Sequence, residues 1–209
     1  MAIIKNVIFD FGAVLVDWNP HYVYDPYFGG KEKADWFLAN ICTMAWNGEV
    51  DKGKSIKQAE TELIAKYPEW EKEILMYFGR WVEMVGKELP GMTDLIMELK
   101  SKGYRVLGLS NWARETFNRV KDGFEFEKLL DGYIISGDVK MLKPDAEIYY
   151  ELLRRFNLKA SECIFIDDNP ANVEGAILTG MDGFVFRGDM APLRRALRAA
   201  GVNCKENAQ

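Results

Sequence analysis

Five short apolar runs punctuate the chain, and four of them stop directly at a small or acidic side chain. They occupy residues 3–9 before Asp10, 104–109 before Ser110, 133–135 before Ser136, 163–166 before Asp167, and 183–186. Runs of this length, rich in β-branched and aromatic residues, predict strands buried on both faces. Between them lie helical patterns of about ten residues. Residues 93–102 carry Leu95, Ile96 and Leu99 and stop at Gly103; residues 146–156 carry Ile148, Tyr149, Leu152, Leu153 and Phe156. Residues 171–179 end at Gly180, and residues 193–200 follow Pro192 and end at Gly201, the usual Pro-first, Gly-last asymmetry. Strands alternating with helices predict βαβ units, and hence a three-layer α/β core around a parallel sheet.

One stretch breaks the alternation. From about Asn19 to Glu88 the pattern is helical, with no strand expected. Residues 31–42 carry Trp36, Phe37 and Ile41, and residues 55–66 open with Ser55-x-x-Gln58, a capping box. Residues 69–85 carry Trp70, Ile74, Phe78, Trp81, Val82 and Val85. Trp18, Trp36, Trp46, Trp70 and Trp81 all fall in or beside this stretch, as expected of a helical core. The division expected is an α/β core from residues 1–16 and 88–209, interrupted after the first strand by a helical cap, residues 17–87.

Composition narrows the partners. Lys and Arg number 27 against 32 Asp and Glu, a net charge of −5, which argues against a nucleic-acid partner. The single histidine, His21, excludes two-histidine mechanisms. Cys42, Cys163 and Cys204 are too few and too far apart for a disulfide framework or a zinc site. No run of eighteen apolar residues and no signal-peptide pattern occurs, so the expectation is a cytoplasmic protein without a membrane partner.

In parallel α/β sheets, ligands bind at the carboxyl ends of the strands. The polar residues at those ends are Asp10, Ser110 with Asn111, Ser136 with Asp138, and Asp167 with Asp168; Lys143 precedes the last pair. Three carboxylates on one edge raise one another's pKa unless a cation neutralises them. Mg²⁺ takes oxygen ligands and commonly bridges to phosphate. Asp10 is then a candidate nucleophile toward phosphorus. Lys143 would offset anionic charge, and Ser110 would hold phosphoryl oxygens.

The segments Ile8-Phe9-Asp10-Phe11-Gly12-Ala13-Val14-Leu15, Leu109-Ser110-Asn111, Lys143-Pro144-Asp145 and Phe165-Ile166-Asp167-Asp168-Asn169 resemble, in order, the four signatures of the haloacid dehalogenase-like (HAD) hydrolases. The inserted helices are similar to the small helical cap that follows strand one in many members. The resemblance spans essentially the whole chain and implies a Rossmann-like core. It further implies that Asp10 is the nucleophile and that Ser110 and Lys143 contact the transferred group. Mg²⁺ would be held by Asp10, the Gly12 main-chain carbonyl and Asp168, with Asp167 binding directly or through water. Asn111 and Asn172 would support them. Phosphatases of the family generally carry a second aspartate, a general acid/base, two residues after the nucleophile. Here that position is Gly12, and Asp17 and His21 are candidate substitutes by location alone.

These features point to a Mg²⁺-dependent phosphomonoester hydrolase acting on a small phosphorylated metabolite, with sugar phosphates among the candidates. Trp18, Trp46, Glu49, Arg80 and Trp81 are candidate cap residues for the substrate wall, although burial in the cap explains the aromatics equally well. Three alternatives stand beside this reading. A metal-independent 2-haloacid dehalogenase tolerates Gly12 but would leave Asp167 and Asp168 uncompensated. A phospho-acceptor receiver would place its acidic pair after the first strand, not the last. A catalytically impaired binding protein would also lack the acid.

Overall fold

The computed structural model describes residues 3–206; the outer ends of the expected core segments, residues 1–2 and 207–209, lie outside that range. Seven strands are present among the described residues: β1 (Asn6–Phe9), β2 (Val16–Trp18), β3 (Val85–Glu88), β4 (Arg105–Ser110), β5 (Tyr133–Ile135), β6 (Cys163–Asp167) and β7 (Asp182–Val185). Five of them form one sheet in the order β5-β4-β1-β6-β7, and all its pairings are parallel. The chain builds outward from β1 to β4 and β5, then returns to lay β6 and β7 on the other side. The strand order therefore reverses at β1, the place where such sheets open a crevice.

The period-2 geometry of a strand sends alternate residues to opposite layers. Val7, Phe9, Val106, Ile164 and Ile166 enter one buried cluster, and Ile8, Leu107, Leu109, Cys163 and Phe165 enter the other. The second cluster is closed by Ile148, Tyr149 and Leu152 of helix Ala146–Phe156 and by Ala176 of helix Pro170–Leu178. The first is closed by Leu95, Ile96 and Leu99 of helix Met92–Ser101 and by Leu193 and Leu197 of helix Met190–Ala199. Each such side chain contributes about 1.5–3 kcal/mol when removed from water. This is the three-layer, Rossmann-like core expected. Gly108 is required in β4 because a Cβ there would lie 2.4 Å from the Phe11 ring.

Residues 21–84 are helical, from His21–Phe28 through Lys31–Asn40, Met44–Asp51, Ile56–Lys66 and Glu71–Gly79 to Trp81–Met84. Tyr24, Phe37, Tyr77, Phe78 and Trp81 pack among themselves and join the cluster on the first face of the sheet. Two expectations need correction. The stretch read as strand-free ends in β3, which pairs antiparallel with β2 across its root. The pattern over residues 69–85 is broken, because the helix stops at Gly79, resumes at Trp81 and gives way to strand at Val85. The capping box is half formed: Gln58 N–H donates to the Ser55 hydroxyl, but the Gln58 side chain turns to Glu62. All three cysteines are free and buried. No helix among the described residues is long and apolar enough to cross a membrane.

Candidate active site

β1 delivers Asp10 to the crevice, and the chain then turns sharply. Asp10 N–H donates to the Ile166 carbonyl (2.9 Å), while Leu15 and Val16 N–H both return to the Phe11 carbonyl (2.8 Å each). Phe11 N–H donates to Asp10 Oδ1 at 2.7 Å, and Lys143 Nζ lies 2.8 Å from the same oxygen. Oδ2 makes no hydrogen bond to any described residue, so one carboxylate oxygen is anchored and the other is free.

Lys143 is fully buried and holds three oxygens: Asp10 Oδ1, Asp167 Oδ2 (2.6 Å) and the Leu109 carbonyl (2.9 Å). Its position is fixed by Asn111, whose side chain donates to the Lys143 carbonyl and accepts from its N–H, both at 2.9 Å. Burial alone would lower the Lys143 pKa, but the carboxylates of Asp10 and Asp167 carry it above its ordinary value. Asp167 also accepts from Asn172 Nδ2 (3.1 Å to each oxygen) and from Asn169 N–H (2.8 Å). Both of its oxygens are therefore engaged by the protein. Asp168 is less constrained, and burial followed by the charge of Asp167 pushes its carboxyl up. Burial, helped by Asp167, likewise raises Asp10 against the lowering effect of Lys143. Ser110 ends β4, buried beside them, with no hydrogen bond from its hydroxyl to any described residue.

Asp10, Asp167 and Asp168 each offer an oxygen within 4.8 Å of the others. Such an all-oxygen set suits Mg²⁺ and is unsuited to softer metals. It opens on a cavity of about 260 Å³, which Gly12, Ser110, Asn111, Lys143 and Asn172 also line. The opposite wall comes from the helical segment and its root: Trp18, Met44, Asn47, Gly48, Asp51 and Trp81, with Trp112 beside them. Of these, Met44, Asn47, Asp51 and Trp112 were not singled out by the sequence. The spacing Asn47-x-x-x-Asp51, two polar residues one turn apart, was the available signal, and the structure buries both.

Other expected residues lie elsewhere. Ser136 donates to the Asp51 carbonyl (2.7 Å) and accepts from Trp112 N–H (2.9 Å), and Asp138 pairs with Arg114. Both brace the wall and do not join the carboxylates. His21 is held by Asp25 (2.7 Å) and Asp35 (3.4 Å), and Asp17 accepts from the Tyr22 hydroxyl (2.5 Å). Neither is among the residues lining the cavity. Trp46 donates its indole N–H to the Ala59 carbonyl, Glu49 faces Lys54, and Arg80 pairs with Glu83; these three also lie outside the lining.

A family model for haloacid dehalogenase-like hydrolases matches residues 4–180. A sesquiterpene phosphatase of Aspergillus oryzae is 27% identical over 187 residues, covering 90% of this chain and 92% of its own. A phosphorylated carbohydrates phosphatase of Thermotoga maritima is 26% identical over 180 residues, covering 85% and 82%. A HAD family enzyme of Bacteroides thetaiotaomicron shares the fold at 20% identity, with a TM-score of 0.73 over 93% of this chain and 100% of its own. The same enzyme has been solved in complex with magnesium and inorganic phosphate.

Proposed function

The chain belongs to the haloacid dehalogenase-like hydrolase family, and from that premise we propose that it is a Mg²⁺-dependent phosphomonoesterase working through a phosphorylated Asp10. The observation that carries this reading is the cluster of three carboxylates around a single lysine. Lys143 is already shared by Asp10 and Asp167, so Asp168 and the phosphate of a substrate would bring uncompensated negative charge into a buried place. A divalent cation removes that difficulty. Asp10, the Gly12 carbonyl and Asp168 would hold it, while Asp167 keeps Lys143 and Asn172 in place. When bound, Mg²⁺ supplies positive charge to the transferring phosphoryl group.

The remaining chemistry belongs to the chain. Asp10 Oδ2, the oxygen without a protein partner, attacks phosphorus. The Lys143 charge offsets that of the phosphoryl group, and the Ser110 hydroxyl holds a phosphoryl oxygen. Water then hydrolyses the aspartyl-phosphate. The helical segment 17–87 acts as the cap, enclosing the leaving group and excluding bulk water. The two phosphatase relatives, matched over most of their length, support a phosphorylated substrate.

The cap side of the cavity is lined by Trp18, Met44, Trp81 and Trp112 beside the polar Asn47 and Asp51. The indole N–H groups of Trp18, Trp81 and Trp112 and the amide oxygen of Asn47 are buried beside the cavity without protein partners. Gly12 favours the dehalogenase alternative, but a metal-free reaction leaves the acidic cluster unneutralised. Phosphate release from a panel of small phosphomonoesters, with Mg²⁺ and then with EDTA, tests the reading. Loss of turnover with EDTA and in Asp10→Asn is expected. Metal-independent halide release from 2-haloacids would overturn it.

A further inference from the structure

Cleaving a phosphomonoester near neutral pH leaves an alkoxide that needs a proton, and the core side of the cavity offers none. Lys143 is locked between two carboxylates, Asp168 is committed to the metal in the proposed reading, Gly12 has no side chain, and His21 and Asp17 stand outside the lining. The cap side does offer one. Asp51 ends helix Met44–Asp51, lines the same cavity as Asp10, and is only 6% exposed. No lysine, arginine or histidine among the described residues pairs with it. Asn47 Nδ2 donates to its Oδ2 at 2.8 Å, and the Ala113 backbone N–H also faces the carboxyl. Its own carbonyl accepts from Ser136 at the end of β5, which ties this cap residue to the core.

Resting on the reading of Asp10 as the phosphoryl acceptor, we propose that Asp51 is the catalytic acid and base that the family usually places at the position of Gly12. In the first step the Asp10–phosphorus bond forms and the bond from phosphorus to the leaving oxygen breaks. The electron pair stays on that oxygen, which takes the proton of the Asp51 carboxyl. In the second step water attacks the aspartyl-phosphate and gives its proton to the Asp51 carboxylate. The Asp10–phosphorus bond breaks, inorganic phosphate leaves, and both aspartates return to their starting forms.

The surroundings suit the role. Burial pushes the Asp51 carboxyl up to about 7, with the Ala113 N–H opposing, so a protonated fraction exists at neutral pH. Tyr77, from helix Glu71–Gly79, faces it with a phenol that burial holds well above its ordinary value. The nearby cations are engaged elsewhere: Lys54 by Glu49 and Glu62, Arg114 by Asp138, and Lys143 by Asp10 and Asp167. Asp10 and Asp168 share the cavity on its opposite wall.

The test compares two probes in the full chain with Mg²⁺: β-glycerol phosphate, whose leaving alkoxide needs a proton, and p-nitrophenyl phosphate, whose phenolate does not. In a single turnover, Asp51→Asn should slow release of glycerol from the first by about 10²–10⁴ and release of p-nitrophenol from the second by less than about tenfold, while steady-state turnover of both falls because the second step has lost its base. The alkaline limb of the wild-type pH profile with glycerol phosphate should disappear. A Cβ at Gly12 would meet nothing within 4 Å, so Gly12→Asp added to Asp51→Asn should restore at least about tenfold. Equal single-turnover losses on both probes, or an unaltered alkaline limb, would overturn the assignment of Asp51. Turnover surviving in Asp10→Asn would instead overturn the parent reading.

Discussion

Lys143 Nζ lies 2.6 Å from Asp167 Oδ2, and neither side chain reaches solvent. A pair placed this way adds little net stability over an apolar equivalent, yet removing one partner leaves a buried charge poorly matched. Asp167→Asn should therefore cost about 3 kcal/mol in urea unfolding, even though Lys143 keeps Asp10 and the Leu109 carbonyl. A loss below about 1 kcal/mol would mean that water reaches the pair and that its geometry matters less than its burial suggests.

The core strands were legible because each is buried on both faces, so its apolar run stands out without knowledge of its neighbours. Asp10, Ser110 and Asp167 were legible for the same reason, since each directly follows such a run, whereas Lys143 stood out only as the lysine lying between the last two strand ends. β3 was not, since Val85-Gly-Lys-Glu has no run of its own and is stabilised by pairing with β2, some 70 residues away in sequence. The cavity wall was hidden for a related cause. Asn47 and Asp51 line one cavity with Asp10, and Ser136 ties the end of their helix to the core through a contact between residues 85 apart. His21 illustrates the opposite case. Proximity to the nucleophile in sequence suggested a role, whereas helix His21–Phe28 turns its imidazole toward Asp25 and Asp35.

The position of His21 yields a prediction of its own. Its ring is held by two carboxylates near the surface and does not line the cavity. Such exposed pairs are worth little. His21→Ala should leave kcat and KM for a phosphomonoester within about twofold of wild type, the range expected for a surface substitution. A fall in kcat of tenfold or more with unchanged thermal stability would show that the helix reorients during turnover.

Gly175 carries the loop of Lys143. A Cβ at this position would lie 2.6 Å from the Pro144 carbonyl oxygen and 3.1 Å from the Tyr149 ring, while the Tyr149 hydroxyl donates to the Asn172 carbonyl at 2.7 Å. Helix Pro170–Leu178 can approach the Lys143-Pro144 segment this closely only with hydrogen at position 175. Gly175→Ala should destabilise the fold by about 1–3 kcal/mol. It should also reduce kcat by about tenfold or more, since small displacements of a positioned charge are costly. Unchanged kcat alongside a lowered Tm would separate the packing from the positioning of Lys143.

Glu98 provides a pH-dependent test away from the cavity. Burial alone would raise its carboxyl, but Arg194 Nη1 (2.7 Å), Lys102 Nζ (2.9 Å) and Lys205 N–H (2.6 Å) favour the ionised form and hold it at about 2. An unfolded glutamate titrates near about 4.3. The folded value is the lower one, so the contribution is fully present above the unfolded value and is lost as pH falls toward the folded one. Unscreened linkage would give about 3 kcal/mol. Lys102 is 28% exposed, and screening there reduces the expectation to about 1–2 kcal/mol. Glu98→Gln should be less stable than wild type by that amount in urea at pH 7, and the gap should narrow steadily from about pH 4.5 to 2.5. A gap that stayed constant over that range would mean that Glu98 acts through packing against Arg194 and not through its charge.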